Sequence, residues 1–107
     1  MVQIEYCIDP QRAEDFLLAM QEVRRMRDRD GAFGWFLAHD PANEERHVES
    51  FMAESWLDYL RQLDRMTDAD HAIEDHARSF HQGSAPPTVT PIIAEHPNWD
   101  GAKDRMG

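Results

Sequence analysis

Residues 32–40, "AFGWFLAHD", and residues 45–55, "ERHVESFMAES", are the two segments on which the fold turns. Each is a short run rich in aromatic and aliphatic residues, and only residues 41–44 separate them, which predicts an antiparallel hairpin with a short irregular loop. Strict alternation along the first strand puts Phe33, Trp35 and Leu37 on one face. Phe36 and Ala38, on the other face, are apolar as well. An antiparallel sheet covered by helices on one side normally turns a polar face to water. Apolar residues on both faces therefore predict a sheet covered twice, by helices on one side and by a second copy of the chain on the other.

Before the hairpin, "VQIEYCI" alternates from Val2 to Ile8 and reads as a half-buried strand. Asp9 then supplies an N-cap and Pro10 fits the first helical position, where its missing N–H costs nothing. Phe16, Met20, Val23 and Met26 recur at helical spacing, and Gly31 marks the end of that helix. After the hairpin, Ser55 followed by Asp58 opens a second helix, with Trp56, Tyr59, Leu60 and Leu63 as its apolar side. Thr67 and Asp70 repeat the start signal for a third helix that runs to Gly83. Residues 88–96 read as a last strand, in which Pro91 points to an edge or a bulge. The order is β-α-β-β-α-α-β, which predicts an α+β, ferredoxin-like protomer with a four-stranded antiparallel sheet over residues 1–96. Residues 97–107, "PNWDGAKDRMG", have no periodicity and read as a loose tail.

At 107 residues the chain has the size of one domain, small enough that covering more surface with a partner subunit is favourable. The net charge of −10 argues against nucleic acid as a partner. No apolar run is long enough to cross a bilayer and no signal peptide opens the sequence, which points to the cytoplasm without membrane insertion. Cys7 is the sole cysteine, so no internal disulfide can form. One basic cluster stands out: Arg24, Arg25, Arg27 and Arg29 close the first helix. Cations there offset the negative end of the helix dipole, a plainer role than an anion site, since Asp28 and Asp30 interleave with them.

The element order, together with "GAFGW" (31–35), "HVESFMAESW" (47–56) and "RQLDRMT" (61–67), resembles the dimeric α+β-barrel superfamily that includes antibiotic-biosynthesis monooxygenases. It is closer still to the soluble C-terminal domain of transmembrane secretion effectors among the major-facilitator exporters. Three positions depart from that pattern. Asp28 stands where the pattern has Arg, and Asp58 with Tyr59 replaces an acidic residue and a His. The resemblance implies a homodimer forming an α+β barrel, a small aromatic ligand and no cofactor. It implies either a cofactor-independent monooxygenase acting on a phenolic or quinol-like metabolite or a non-catalytic binding or regulatory module, with association with an exporter as a further expectation.

Oxygenation of that kind asks the protein for a base, a dry pocket and a cationic stabiliser. Glu49 is the candidate base or orienter, and Arg65 the candidate catalytic cation, reaching back from its helix to pair with Glu49; the plainer role for Arg65 is that of a helix-end cation. Trp35, Phe51 and Trp56 are candidate aromatic walls, with Trp56 between helix and sheet at the pocket floor, Tyr59 and Leu60 in the core, and Arg61 as a ligand contact. Alternatively the aromatics are only core and Glu49 is a structural ion-pair member; the hairpin register decides which way Glu49 faces. No metal site is expected. His71, His76 and His81 are spaced by five, about 140° around a helix, and His39 and His47 flank a loop tip.

Overall fold

A computed structural model describes residues 1–93. Strand β1 (Val2–Cys7) is followed by a 3-10 turn (Pro10–Arg12) and helix α1 (Ala13–Arg29). Then come β2 (Phe33–Asp40), β3 (Asn43–Met52), α2 (Trp56–Asp64), α3 (Asp68–Arg78) and β4 (Thr88–Pro91). The four strands form one antiparallel sheet in the order β2-β3-β1-β4, the α+β, ferredoxin-like arrangement. Local chemistry accounts for the boundaries. The Asp9 carboxylate accepts the Gln11 N–H at 3.0 Å, and Ser55 caps α2 by accepting the Asp58 N–H at 3.1 Å. Thr67 and Asp70 form a reciprocal capping box at the start of α3. Gly31, at φ 101°, takes the left-handed turn that ends α1.

Three expectations change. The third helix stops at Arg78, well before Gly83, because the following segment is recruited to the end of β1. There His81 bridges Ile8, the Cys7 N–H donates to His81 Nδ1 at 3.0 Å and the Gln82 N–H donates to the Cys7 carbonyl at 2.8 Å. The last strand is described only as Thr88–Pro91, an edge strand whose Pro91 pairs with Val2; residues 94–96 and the tail at 97–107 lie outside the described residues. The hairpin is tighter than read, with Asp40 opposite Asn43 and the Asp40 carboxylate holding the Ala42 N–H at 2.8 Å.

The hairpin also breaks its alternation. Phe33 pairs with Met52 but Phe36 with Ser50, so β2 carries one extra residue there, next to Gly34 at φ 62°. The bulge takes Phe33 off the face of Trp35 and Leu37 and puts it beside Phe36 and Met52 on the side away from the helices. Toward the helices, Val2, Ile4, Tyr6 and Phe51 of the sheet pack against Phe16, Met20, Val23 and Met26 of α1. On the opposite side Phe33, Phe36 and Met52 are 44%, 51% and 37% exposed.

Helix α2 also sits differently from its sequence reading. The Tyr59–Gln62–Met66 stripe turns inward, with Gln62 buried, while Trp56, Leu60 and Leu63 remain exposed. Leu60 is therefore not a core residue, and Trp56, nearly half exposed, stands at the rim where helix and sheet meet and is not packed between them.

At Gly31 an added Cβ would meet only Gln62 Nε2 at 3.7 Å, an ordinary contact, so the cost of a side chain there is the backbone conformation alone. Gly31→Ala is expected to lower stability by about 1 kcal/mol or more in urea unfolding. An unchanged midpoint would show that the α1–β2 turn relaxes freely.

Candidate functional site

The register places Glu49 opposite Ile4 of β1 and Leu37 of β2, on the helix side of the sheet, fully buried. Its two oxygens are filled. Arg27 donates from Nε to Oε2 at 2.6 Å and from Nη2 to Oε1 at 3.3 Å. The Trp35 indole N–H donates to Oε2 at 2.8 Å, and the Tyr6 hydroxyl to Oε1 at 3.3 Å. Arg27 extends the network to Glu74 at 3.1 Å and lies over the Phe51 ring, 4.7 Å from its centre. Burial works against the charge on Arg27, but Glu49 and Glu74 more than offset it and hold the guanidinium protonated. Burial, together with the Glu49 carboxylate, pushes the Tyr6 hydroxyl above its usual range. Four donors account for the lone pairs of one carboxylate, so this group anchors its neighbours and has no free acceptor turned toward a cavity.

Three of the spaces in the fold lie along the helices and the β2–β3 hairpin. The space under α2, bounded by Arg27, Phe51, Tyr59, Gln62 and Met66, measures about 10 Å³, room for a water at most. A groove of about 760 Å³ runs between α1 and the edge strand β2, with Leu17, Met20 and Arg24 on one wall and Trp35, Phe36 and Leu37 on the other. A second, of about 430 Å³, lies where Phe33, Met52, Trp56, Tyr59 and Ile92 meet.

The candidates from the sequence are thus divided. Trp35, Glu49 and Phe51 come together around Arg27. Trp56 lines the second groove. Arg61, largely exposed, pairs with Asp58 at 3.7 Å. Arg65 donates to the backbone carbonyl of Asp30 at 3.3 Å, and the cation that reaches Glu49 is Arg27 instead. Arg27 and Tyr6 are the members that sequence reasoning missed. Arg27 had a legible signal: it lies four residues after Val23, on the buried stripe of α1, where a guanidinium needs an internal carboxylate. His47 is buried against Phe16, with His39 beside it at 6.1 Å between ring centres. Among the described residues, no group of three or more His, Cys, Asp or Glu side chains is placed to hold a metal.

The fold is shared with solved proteins of low sequence identity. The chain is similar to an antibiotic biosynthesis monooxygenase, with a TM-score of 0.68 and 14% identity over 90% of this chain and 100% of that one. It is similar to the Rv0793 protein of Mycobacterium tuberculosis, with a TM-score of 0.61 and 14% identity over 88% and 94% of the two chains. It is also similar to a conserved protein of Methanosarcina mazei, with a TM-score of 0.67 and 9% identity over 83% and 87%. These likenesses define the class, a ferredoxin-like α+β fold of the antibiotic biosynthesis monooxygenase type. Within it, residues 1–98 match the model of the transmembrane secretion effectors, and the chain belongs to that family. No curated protein matches it significantly.

Removing Arg27 leaves a sealed carboxylate without its cation. Arg27→Met is expected to cost about 3–5 kcal/mol in urea unfolding, and adding Glu49→Gln should restore part of it. Arg65→Ala should stay within about 0.5 kcal/mol of the parent. Additive effects of the Arg27 and Glu49 changes would mean that the pair is not coupled.

Proposed function

We propose that this chain is a homodimeric small-molecule-binding domain that takes a flat aromatic, phenol- or quinol-like ligand in the groove between α1 and β2, and that it holds this ligand without oxidising it. The observation that carries the reading is Trp35. Its indole lines the groove and is pinned from behind by the hydrogen bond to Glu49, so an aromatic surface stands preorganised where a ring would stack. The groove volume, about 760 Å³, is in the range of small-molecule sites. The absence of turnover follows from the same carboxylate. Cofactor-free oxygenation needs a base within reach of the phenol, and Glu49 has both oxygens occupied in a sealed position. Asp28, on the groove wall, is more than half exposed to solvent and faces Arg24 at 3.8 Å, so it offers no water-excluded base.

A second copy of the chain is the occupant that suits the exposed Phe33, Phe36 and Met52 on the helix-free side of the sheet, in a chain small enough to gain from added burial. Phe36 also forms the groove's outer lip, so the dimer would close the site from that side. The family's description, transmembrane secretion effector, supports a place beside an exporter. Among the described residues no helix is long and apolar enough to cross a membrane.

Calorimetry against a panel of hydroquinones and anthrones, run beside an oxygen electrode, tests the reading. At least one compound should bind, with affinity lost in Trp35→Leu and kept in Trp56→Leu, and with no oxygen uptake. Uptake that depends on Trp35 would make the domain a monooxygenase, and a panel without any binder would remove the groove as a site. Light scattering at micromolar concentration should give a dimer, and Phe36→Glu a monomer. A monomeric parent protein would overturn the second half of the proposal.

A further inference from the structure

The four arginines at the end of α1 have different fates. Arg27 is consumed by Glu49 at 2.6 Å and Glu74 at 3.1 Å, and Arg29 by Asp70 at 2.5 Å and Asp30 at 3.4 Å. Arg24 and Arg25 instead line the groove. Their partners are exposed to solvent: Asp28 sits 3.8 Å from Arg24 with both side chains more than half exposed, and Arg25 pairs with Glu22, again with both side chains more than half exposed. Such pairs, three or four residues apart on a helix surface, contribute little and give way readily to a better anion. The Arg24 guanidinium also stands 5.3 Å from the centre of the Trp35 ring, so charge and aromatic surface meet at one end of the groove. Leu17, Met20 and Leu37 supply its apolar walls.

We infer that this groove selects aromatic acids. The rings lie along Trp35 and the apolar walls, and the carboxylate is received by Arg24 and Arg25, displacing Asp28 from Arg24. The inference rests on the groove being the ligand site and adds the charge of the ligand. Guanidinium forks suit a planar carboxylate, which can accept two parallel hydrogen bonds. The chain's net charge of −10 repels anions at a distance, so discrimination in favour of an acid has to come from local contacts such as these. Asp28 is the one carboxylate among the groove-lining residues, and it competes for the same cation.

The test compares 2-naphthoate with its neutral counterpart 2-naphthamide by calorimetry at low salt. The acid should bind about fivefold tighter or more. Arg24→Gln with Arg25→Gln should abolish the difference between acid and amide measured on the same variant, and Asp28→Asn should tighten binding of the acid more than that of the amide. Equal affinity of acid and amide for the parent protein would overturn the anion subsite while leaving the groove as a ligand site. A preference for the acid that survives the double substitution but disappears in Arg61→Gln with Arg65→Gln would place the charge reading on α2 and overturn the inference. Failure of both probes to bind would remove it together with the groove.

Discussion

A carboxylate sealed in the middle of a sheet is costly, because moving an ion out of water costs several kcal/mol that only well-aligned partners can offset. Glu49 finds those partners on three different elements: Arg27 on α1, Trp35 on β2 and Tyr6 on β1. Meeting all of them at once constrains how α1 lies across the sheet and which residues of the two flanking strands stand beside β3. A one-residue slip of either strand would carry Trp35 or Tyr6 to the opposite face and leave the carboxylate short of donors. Through Glu74, Arg27 also ties α3 to this centre. The network thus acts as a register lock, and the orientation of Trp35 along the groove is one of its consequences.

The same logic sorts the end of α1. A helix turn advances about 100° per residue, so neighbouring arginines in "RRMRDR" face in different directions. Arg27 points inward to the sheet, Arg29 clamps the Asp70 carboxylate of the α3 capping box, and Arg24 and Arg25 look over the groove toward β2. The Arg29 guanidinium and the backbone N–H of Thr67 hold the Asp70 carboxyl below the usual carboxylate range, so this capping box gathers contacts from α1 as well as from its own helix.

The two sides of the sheet differ in completeness. Beneath the helices Val2, Ile4, Tyr6 and Phe51 are buried, while Trp35 and Leu37 are half-buried beside the groove and Val89 of the edge strand is exposed. The other side is divided: Phe33, Phe36 and Met52 lie toward the β2–β3 edge, while Gln3, Glu5, Thr88 and Thr90 lie across β1 and β4. Helix α2 adds to the exposed apolar surface with Trp56, Leu57, Leu60 and Leu63. An apolar patch of this size, bordered by polar strands, is the kind of surface that monomeric domains seldom leave to water.

Local signals determined most of the element order. The Ser55 and Thr67 caps, the stop at Gly31 and the alternation in β1 act within a few residues and are satisfied where the sequence placed them, while Asp9 caps the 3-10 turn that leads into α1 and not α1 itself. The apolar character of both hairpin faces was equally legible. Three things were settled only by tertiary structure, because each depends on partners distant in the chain. The bulge at Gly34 moved Phe33 to the other face, since register is set by pairing with β3 and not by period alone. Helix α2 turned its Tyr59–Gln62–Met66 stripe inward, because its apolar residues span too wide an arc for sequence to say which part meets the core. And the cation at Glu49 came from Arg27 instead of Arg65, because α1 passes over the buried carboxylate while the Arg65 guanidinium reaches the Asp30 carbonyl, a contact that no spacing along the sequence encodes.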